Sequence, residues 1–175
     1  ESELMAKLKG DLENPICVFR STASAIAILK EGRFRTQFET VRSGGHYDRD
    51  FRRKAERMGL GYPDDADVTD RPVYGVIDTE RHTGRDYGDI EFVLKEEVKD
   101  RTTVTIGDSL YGFTNHDLVG TPCRNPGKGS IDQKAMTYGA YGAGGSLRYI
   151  EAQVQGGVRL SDIAKIRIHS WSRVS

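Results

Sequence analysis

The chain is poor in the residues that most readily betray a special chemistry. Only Cys17 and Cys123 occur in 175 residues; they share no CxxC spacing and have no histidine pair beside them, so a zinc site has no sequence support and at most one bridge could form. The plain reading is two separate, partly buried thiols. Four histidines, His46, His82, His116 and His169, lie far apart without metal or triad spacing, which removes the usual argument for a metal centre or a serine hydrolase. Charge of one sign is lacking too: 26 basic and 26 acidic residues cancel, so no net field drives the chain onto nucleic acid or an anionic membrane. No apolar run nears the roughly 18 residues that span a bilayer. No basic-then-apolar leader opens the chain and no internal repeat is visible. A start at Glu1 without Met reads as a piece of something longer.

What is present fits one domain, because cores usually grow to about 100–200 residues before a chain divides. Hydrophobic residues make up 37 % and charged residues 30 %, and the apolar residues recur in compact runs, the mark of a folded domain with long polar loops. Residues 1–14, with Leu4, Leu8 and Leu12 four apart, read as an N-terminal helical extension or linker, ended by Pro15. Residues 15–175 form the domain proper.

Ile16 to Phe19 is a continuous apolar run of strand length, as expected of a strand buried on both faces, and it leaves Arg20 at its end. Ser21 or Thr22 then suits an N-cap, Ala23 to Glu31 a helix, and Gly32 its left-handed terminus. Phe34 to Thr40 alternates apolar and polar, which fits a half-buried strand or an extended loop. Ser43, Gly44 and Gly45 break the pattern; Asp48 to Met58 is charge-rich and permits a helix; Gly59 to Asp70 reads as a surface loop. Val73 to Ile77, Ile90 to Leu94 and Thr102 to Ile106 are strands expected to pair as neighbours. Tyr111 to Gly145 is rich in glycine, proline and small polar residues, a long irregular stretch of the functional or mobile kind. Leu147 to Val154 and Ile163 to Ile168 return to strand character, with a turn at Gly156 and Gly157.

Two short segments could carry chemistry. Arg20, Ser21 and Thr22 place a guanidinium and two hydroxyls where a strand meets a helix N-terminus, which makes either an anion cradle or a surface arginine beside an ordinary cap. On a strand, Tyr149, Glu151 and Gln153 share one face while Ile150, Ala152 and Val154 share the other. The polar set is either a cleft wall or the solvent-facing stripe of an edge strand. The turn after Thr105, at Gly107, Asp108 and Ser109, and the loop Ser43–Gly45 could each bind an anion through backbone amides or be simple turns.

Taken together, Phe19-Arg20-Ser21-Thr22, Arg71-Pro72-Val73-Tyr74-Gly75 and Tyr149-Ile150-Glu151-Ala152-Gln153 resemble ADP-ribosyltransferase toxin domains. The stretches RFRTQFET, RPVYGVID, RTTVTIGDSLYG and YIEAQVQGGVRLSDI look like the C-terminal toxin-like domains of phage minor head (Mu gpF-like) proteins. This resemblance spans about Val18 to Ile168. It implies an α+β fold, a split β-sandwich of two small sheets flanked by a few helices, that clasps NAD as co-substrate. It implies Glu151 as the catalytic carboxylate and Arg20 as the arginine that contacts an NAD phosphate or the nicotinamide ribose. Ser21, Thr22, Tyr74, Gly75 and Ser109 would line the NAD site, and Tyr149 and Gln153 would meet the substrate.

The implied activity is mono-ADP-ribosyl transfer to an unknown macromolecular acceptor by a monomeric toxin or effector, secreted or virion-delivered into a bacterial cytoplasm, with a possible immunity protein as partner. NAD glycohydrolysis and a non-enzymatic phage structural or binding module are the alternatives. The chain departs from the family pattern in two places: Tyr149 stands where Glu or Gln is usual, and no clear Ser-Thr-Ser strand is present, its place being open to Tyr74 and Gly75 or to Thr105 and Ser109. Glu151→Gln is expected to leave the fold intact.

Overall fold

Four consecutive apolar side chains can all be buried only in a strand that has a neighbour on each edge and cover on each face. Strand β1 (Ile16–Arg20) has that place. The computed structural model describes residues 10–41, 48–77, 87–106, 109, 123–124 and 150–170. Beside β1 these include β2 (Val73–Ile77), β3 (Ile90–Leu94), β4 (Thr102–Ile106), the two-residue β5 (Cys123–Arg124), β6 (Ile150–Val154) and β7 (Ile163–Ile168). Helices α1 (Thr22–Glu31), α2 (Gln37–Thr40) and α3 (Arg49–Leu60) accompany them. The strands form one seven-stranded sheet in the order β5-β4-β6-β2-β1-β3-β7, with every pairing antiparallel. The fold is α+β.

The two faces of the sheet differ in kind. Ile16, Val18, Ile77, Ile90, Phe92, Leu94, Val104, Ile150, Ala152 and Val154 share one apolar core with Ala25 and Ile28 of α1 and with Phe34. Burying each large side chain there stabilises the fold by about 1.5–3 kcal/mol, so this face carries the main apolar core. The other face has a small apolar patch, Cys17, Phe19, Val76 and Val93. Beyond β2 it becomes polar: Thr103, Thr105, Glu151 and Gln153 are all buried. Helix α3 covers that polar half with Arg52 and Glu56, one helical turn apart and buried.

Several expectations hold and several need correction. Ser21 caps α1, accepting from the Ser24 amide, and Gly32 ends it at φ 87°. The strands β2, β3 and β4 do not pair with one another: β2 and β3 flank β1, and β4 lies against β6. Burial of β1 on both edges forces this, since β1 must take the middle that β2 and β3 would otherwise share. Phe34 to Thr40 is not a strand, because Thr36 and Glu39 form a reciprocal capping box that starts α2 and turns Phe38 inward. Helix α3 runs on to Leu60 and ends at Gly61, and a short 3-10 turn, Val68–Asp70, interrupts the stretch expected to be loop. Residues 1–9 lie outside the described part of the extension, but Leu12 is buried in the core and its carbonyl accepts from Lys99 Nζ at 2.9 Å.

The described strands make one seven-stranded sheet where two small sheets were expected, yet the sheet has a seam. β1 and β2 pair only at Ile16–Ile77 and Cys17–Val76, whereas β1–β3 and β2–β6 each hold four pairs. The seam is tight where it exists: a Cβ at Gly75 would lie 2.7 Å from the Cys17 carbonyl oxygen, so only glycine lets the two backbones approach there.

Candidate functional site

Glu151 lies on β6, an interior strand with β2 on one side and β4 on the other. The reading of this stripe as a solvent-facing edge is therefore corrected: Glu151 is 7 % exposed and Gln153 is 0 % exposed. Burying a carboxylate is costly unless its oxygens are engaged, and here they are. Oε1 accepts from the Ser109 hydroxyl and from Gln153 Nε2 at 2.9 Å, and Oε2 accepts from the Ser109 amide at 3.4 Å.

Ser109 ties this carboxylate to a cation. Its Oγ accepts from Arg52 at 3.3 Å while donating to Glu151, and the Arg52 guanidinium lies 4.5 Å from the centre of the Tyr74 ring. Tyr74 belongs to the same sheet face, paired with Gln153 in register. Burial pushes its hydroxyl well above the ordinary phenol range, Arg52 opposes that rise, and Glu56 and Glu151 add to it. The phenol keeps its proton and donates to Glu56 Oε1 at 2.8 Å.

Glu56 anchors the helix that carries Arg52. Its Oε2 accepts from Arg71 at 2.7 Å, with both side chains almost fully buried. Arg71 also donates to the carbonyls of Pro63 and Asp64 at 3.2 and 3.1 Å and stacks 4.2 Å from the Phe38 ring. Burial raises the Glu56 carboxyl, and the hydrogen bonds from Arg71 and Tyr74 pull it back. One face thus gathers a fixed carboxylate, a hydroxyl, a stacked guanidinium and a phenol.

The remaining expected site residues sort clearly. Arg20 is not brought together with Glu151: it follows Val18 onto the apolar side, its guanidinium 5.9 Å from the Phe34 ring and donating to the Phe19 carbonyl at 2.8 Å. Burial lowers it to about 10, against a smaller opposing effect of Tyr87. Period-two alternation explains the separation, since positions 18 and 20 share one face, and 17, 19 and the row of Glu151 share the other. Ser21 uses its hydroxyl for the helix cap, at 3.2 Å from the Ser24 amide, and Thr22 opens α1 as an exposed residue; that segment is an ordinary cap. Gly75 serves the seam. Gln153, expected to meet substrate, is enclosed with both amide ends engaged. Tyr149, Gly107, Asp108, Ser43–Gly45, His46, His82 and His116 lie outside the described residues.

Residues that the sequence reading missed include Arg52 and Glu56, whose signal was an i, i+4 Arg–Glu pair in a helix too charged to suggest a buried face; Arg71 lay in one of the resembling motifs but had no role assigned to it. Glu91 was missed as well: fully buried on β3, its Oε1 lies 2.8 Å from His169 Nε2 on the side of the sheet that bears Phe19. Among the described residues no group of three or more His, Cys, Asp or Glu is placed to hold a metal ion, and no helix is long and apolar enough to cross a membrane.

No protein-family profile matches the chain. It is similar to the Gene 2 protein of Mycobacterium phage L5, 35 % identical over 95 residues and covering 46 % of this chain and 37 % of that one. The Gene 2 protein of Mycobacterium phage D29 is 33 % identical over 94 residues, covering 46 % and 36 %. The chain thus matches little more than a third of the length of these phage relatives.

Proposed function

We propose that the chain cleaves the nicotinamide–ribose bond of NAD and transfers the ADP-ribose to a macromolecular acceptor, with Glu151 as the catalytic carboxylate. The observation that carries this reading is the buried carboxylate held by three donors beside a stacked guanidinium. Breaking the N-glycosidic bond develops positive charge on the ribose, and a preorganised anion stabilises that charge most where water is excluded. The Ser109 hydroxyl marks the direction from which a ribose 2′-hydroxyl would donate to Glu151. Arg52, not Arg20, is the guanidinium that shares this face, and it suits the pyrophosphate of the dinucleotide.

The resemblance of the Tyr74 and Glu151 segments to ADP-ribosyltransferase toxins supports the same reading. Within the single sheet, the β1–β2 seam, paired at two positions, is the feature nearest to the split that resemblance implies. The likeness to two phage proteins supports a phage-borne chain.

The test is incubation with NAD labelled in its adenylate half, with nicotinamide release and labelled macromolecules both measured. Glu151→Gln is expected to lower turnover by orders of magnitude. The variant will not be neutral for folding, as the sequence suggested, because a buried amide NH2 would face the donors of Ser109 or Gln153; a loss of about 1–3 kcal/mol is expected. Comparison is therefore made well below both melting temperatures. Equal nicotinamide release by the two proteins defeats the proposal; release without any labelled macromolecule makes the chain a glycohydrolase.

A further inference from the structure

Hydrogen bonds on the polar face run beyond Glu151 in a line, and their polarity can be worked out. An ionised carboxylate only accepts, so the atom of Gln153 facing Glu151 Oε1 must be the amide nitrogen. That nitrogen gives its second hydrogen to Thr105 Oγ1 at 3.0 Å. Gln153 Oε1 therefore points the other way and accepts from Thr103 Oγ1 at 2.8 Å. With its single proton committed, the Thr103 hydroxyl has to accept from its other neighbour, Gln155 Nε2, at 3.2 Å. The Gln155 carbonyl oxygen then faces the Tyr62 hydroxyl, which donates to it.

Every donor in the line Tyr62, Gln155, Thr103, Gln153 is aimed toward Glu151. Burial pushes the Tyr62 hydroxyl up to about 12, so the outer end keeps its proton at any physiological pH. The line crosses from the loop after α3 to β6 by way of β4, and Thr103 and Gln153 are both buried within it. Reversing any one member would set two donors or two acceptors face to face. Hydrogen bonds pointing the same way polarise one another.

We infer that Thr103, Gln155 and Tyr62 are positioning residues: their one-way hydrogen-bond line fixes the Gln153 amide, and through it the orientation of the Glu151 carboxylate. This rests on the proposed reading of Glu151 and deepens it. A carboxylate displaced by a fraction of an ångström binds ground states as before but matches the transition state less well, so the effect belongs in kcat and not in KM.

The experiment is steady-state nicotinamide release by the parent, Thr103→Val, Thr103→Ser and Tyr62→Phe, together with hydrogen exchange of the Gln153 side-chain amide followed by NMR. Valine keeps the strand and the volume while removing the hydroxyl. Thr103→Val is expected to lower kcat roughly ten- to a hundredfold with KM for NAD little changed, and to speed exchange of the Gln153 amide. Thr103→Ser restores most of both, and Tyr62→Phe gives a smaller loss of kcat. A folded Thr103→Val protein with parental kcat overturns the inference alone, as does a kcat loss that serine fails to rescue. A parent that releases no nicotinamide overturns the reading of Glu151 and this inference with it.

Discussion

Arg71→Met tests whether the helix that covers the site is held as described. The substitution keeps an apolar stem against Phe38, over which the guanidinium lies at 4.2 Å, and removes the charge paired with Glu56 at 2.7 Å. Glu56 is then left buried with the Tyr74 hydroxyl, 2.8 Å away, as its hydrogen-bond donor among the described residues, and with the more distant charge of Arg52. Breaking a buried pair by removing one member costs about 3–5 kcal/mol, most of it from the charge left behind. At roughly 2–4 °C per kcal/mol for a chain of this size, Tm should fall by roughly 6–20 °C in a circular-dichroism melt at neutral pH. The pH dependence gives a second check. Burial already raises the Glu56 carboxyl, and Arg71 is the first of the groups that oppose the rise; without it the group sits higher still. A carboxyl raised in the folded state binds its proton more tightly folded than unfolded, so its contribution favours folding at low pH and is lost as pH rises through the raised value. The deficit of the variant should therefore narrow on acidification. A melting temperature within about 2 °C of the parent, or a deficit that widens as pH falls, refutes the account.

Two further outcomes follow from the same face. Ser109→Ala removes the hydroxyl that donates to Glu151 and accepts from Arg52; nicotinamide release should fall about ten- to a hundredfold while stability drops on the order of 1 kcal/mol, and parental turnover would show that this hydroxyl is dispensable. Tyr62, held up to about 12 by burial and next by Glu56, and Tyr74, held higher than an ordinary phenol by burial, stay protonated in the fold while an unfolded phenol ionises near pH ~10. Stability from these two groups is present below that value and lost as pH climbs toward the folded one, so phenolate absorbance for both should rise together with unfolding. Ionisation of both near pH ~10 in a protein still folded contradicts the burial argument.

Local signals reached some parts of this molecule and not others. The run Ile16–Phe19 pointed to a strand buried on both faces, which β1 is, and the spacing of Glu151 and Gln153 placed them on one face. The capping box at Thr36 was also present as a Thr-x-x-Glu signature, and it was masked by the accidental alternation of Phe34, Thr36 and Phe38. Strand order was out of reach, because it depends on which edges β1 must cover and not on proximity in the chain. Arg20 illustrates the sharper limit: a motif places a residue along a strand, but the face it points to is set by register, and the guanidinium on the Glu151 face is that of Arg52, from a helix whose dense charge hid its buried side.

The chemistry of the two sheet faces argues that the polar one is kept for a purpose other than stability. Valine or isoleucine at positions 151 and 153 would extend the cluster of Cys17, Val76 and Val93, and well-packed apolar residues commonly equal or exceed a buried polar network in stability. The sequence instead keeps a carboxylate and an amide on an interior strand, and then supplies Thr103, Thr105, Ser109 and Gln155 to satisfy them. The Glu56–Arg71 pair can be explained as a staple, since it joins α3 to the carbonyls at Pro63 and Asp64. The network around Glu151 joins mainly β4 to β6, two strands already held by five paired positions, and reaches α3 and the loop after it through Ser109–Arg52 and Gln155–Tyr62, so most of its polar members add little that the ladder lacks. Buried polarity on an interior strand, beyond what the ladder and the contacts to α3 use, is the pattern expected where a protein trades stability for a positioned charge.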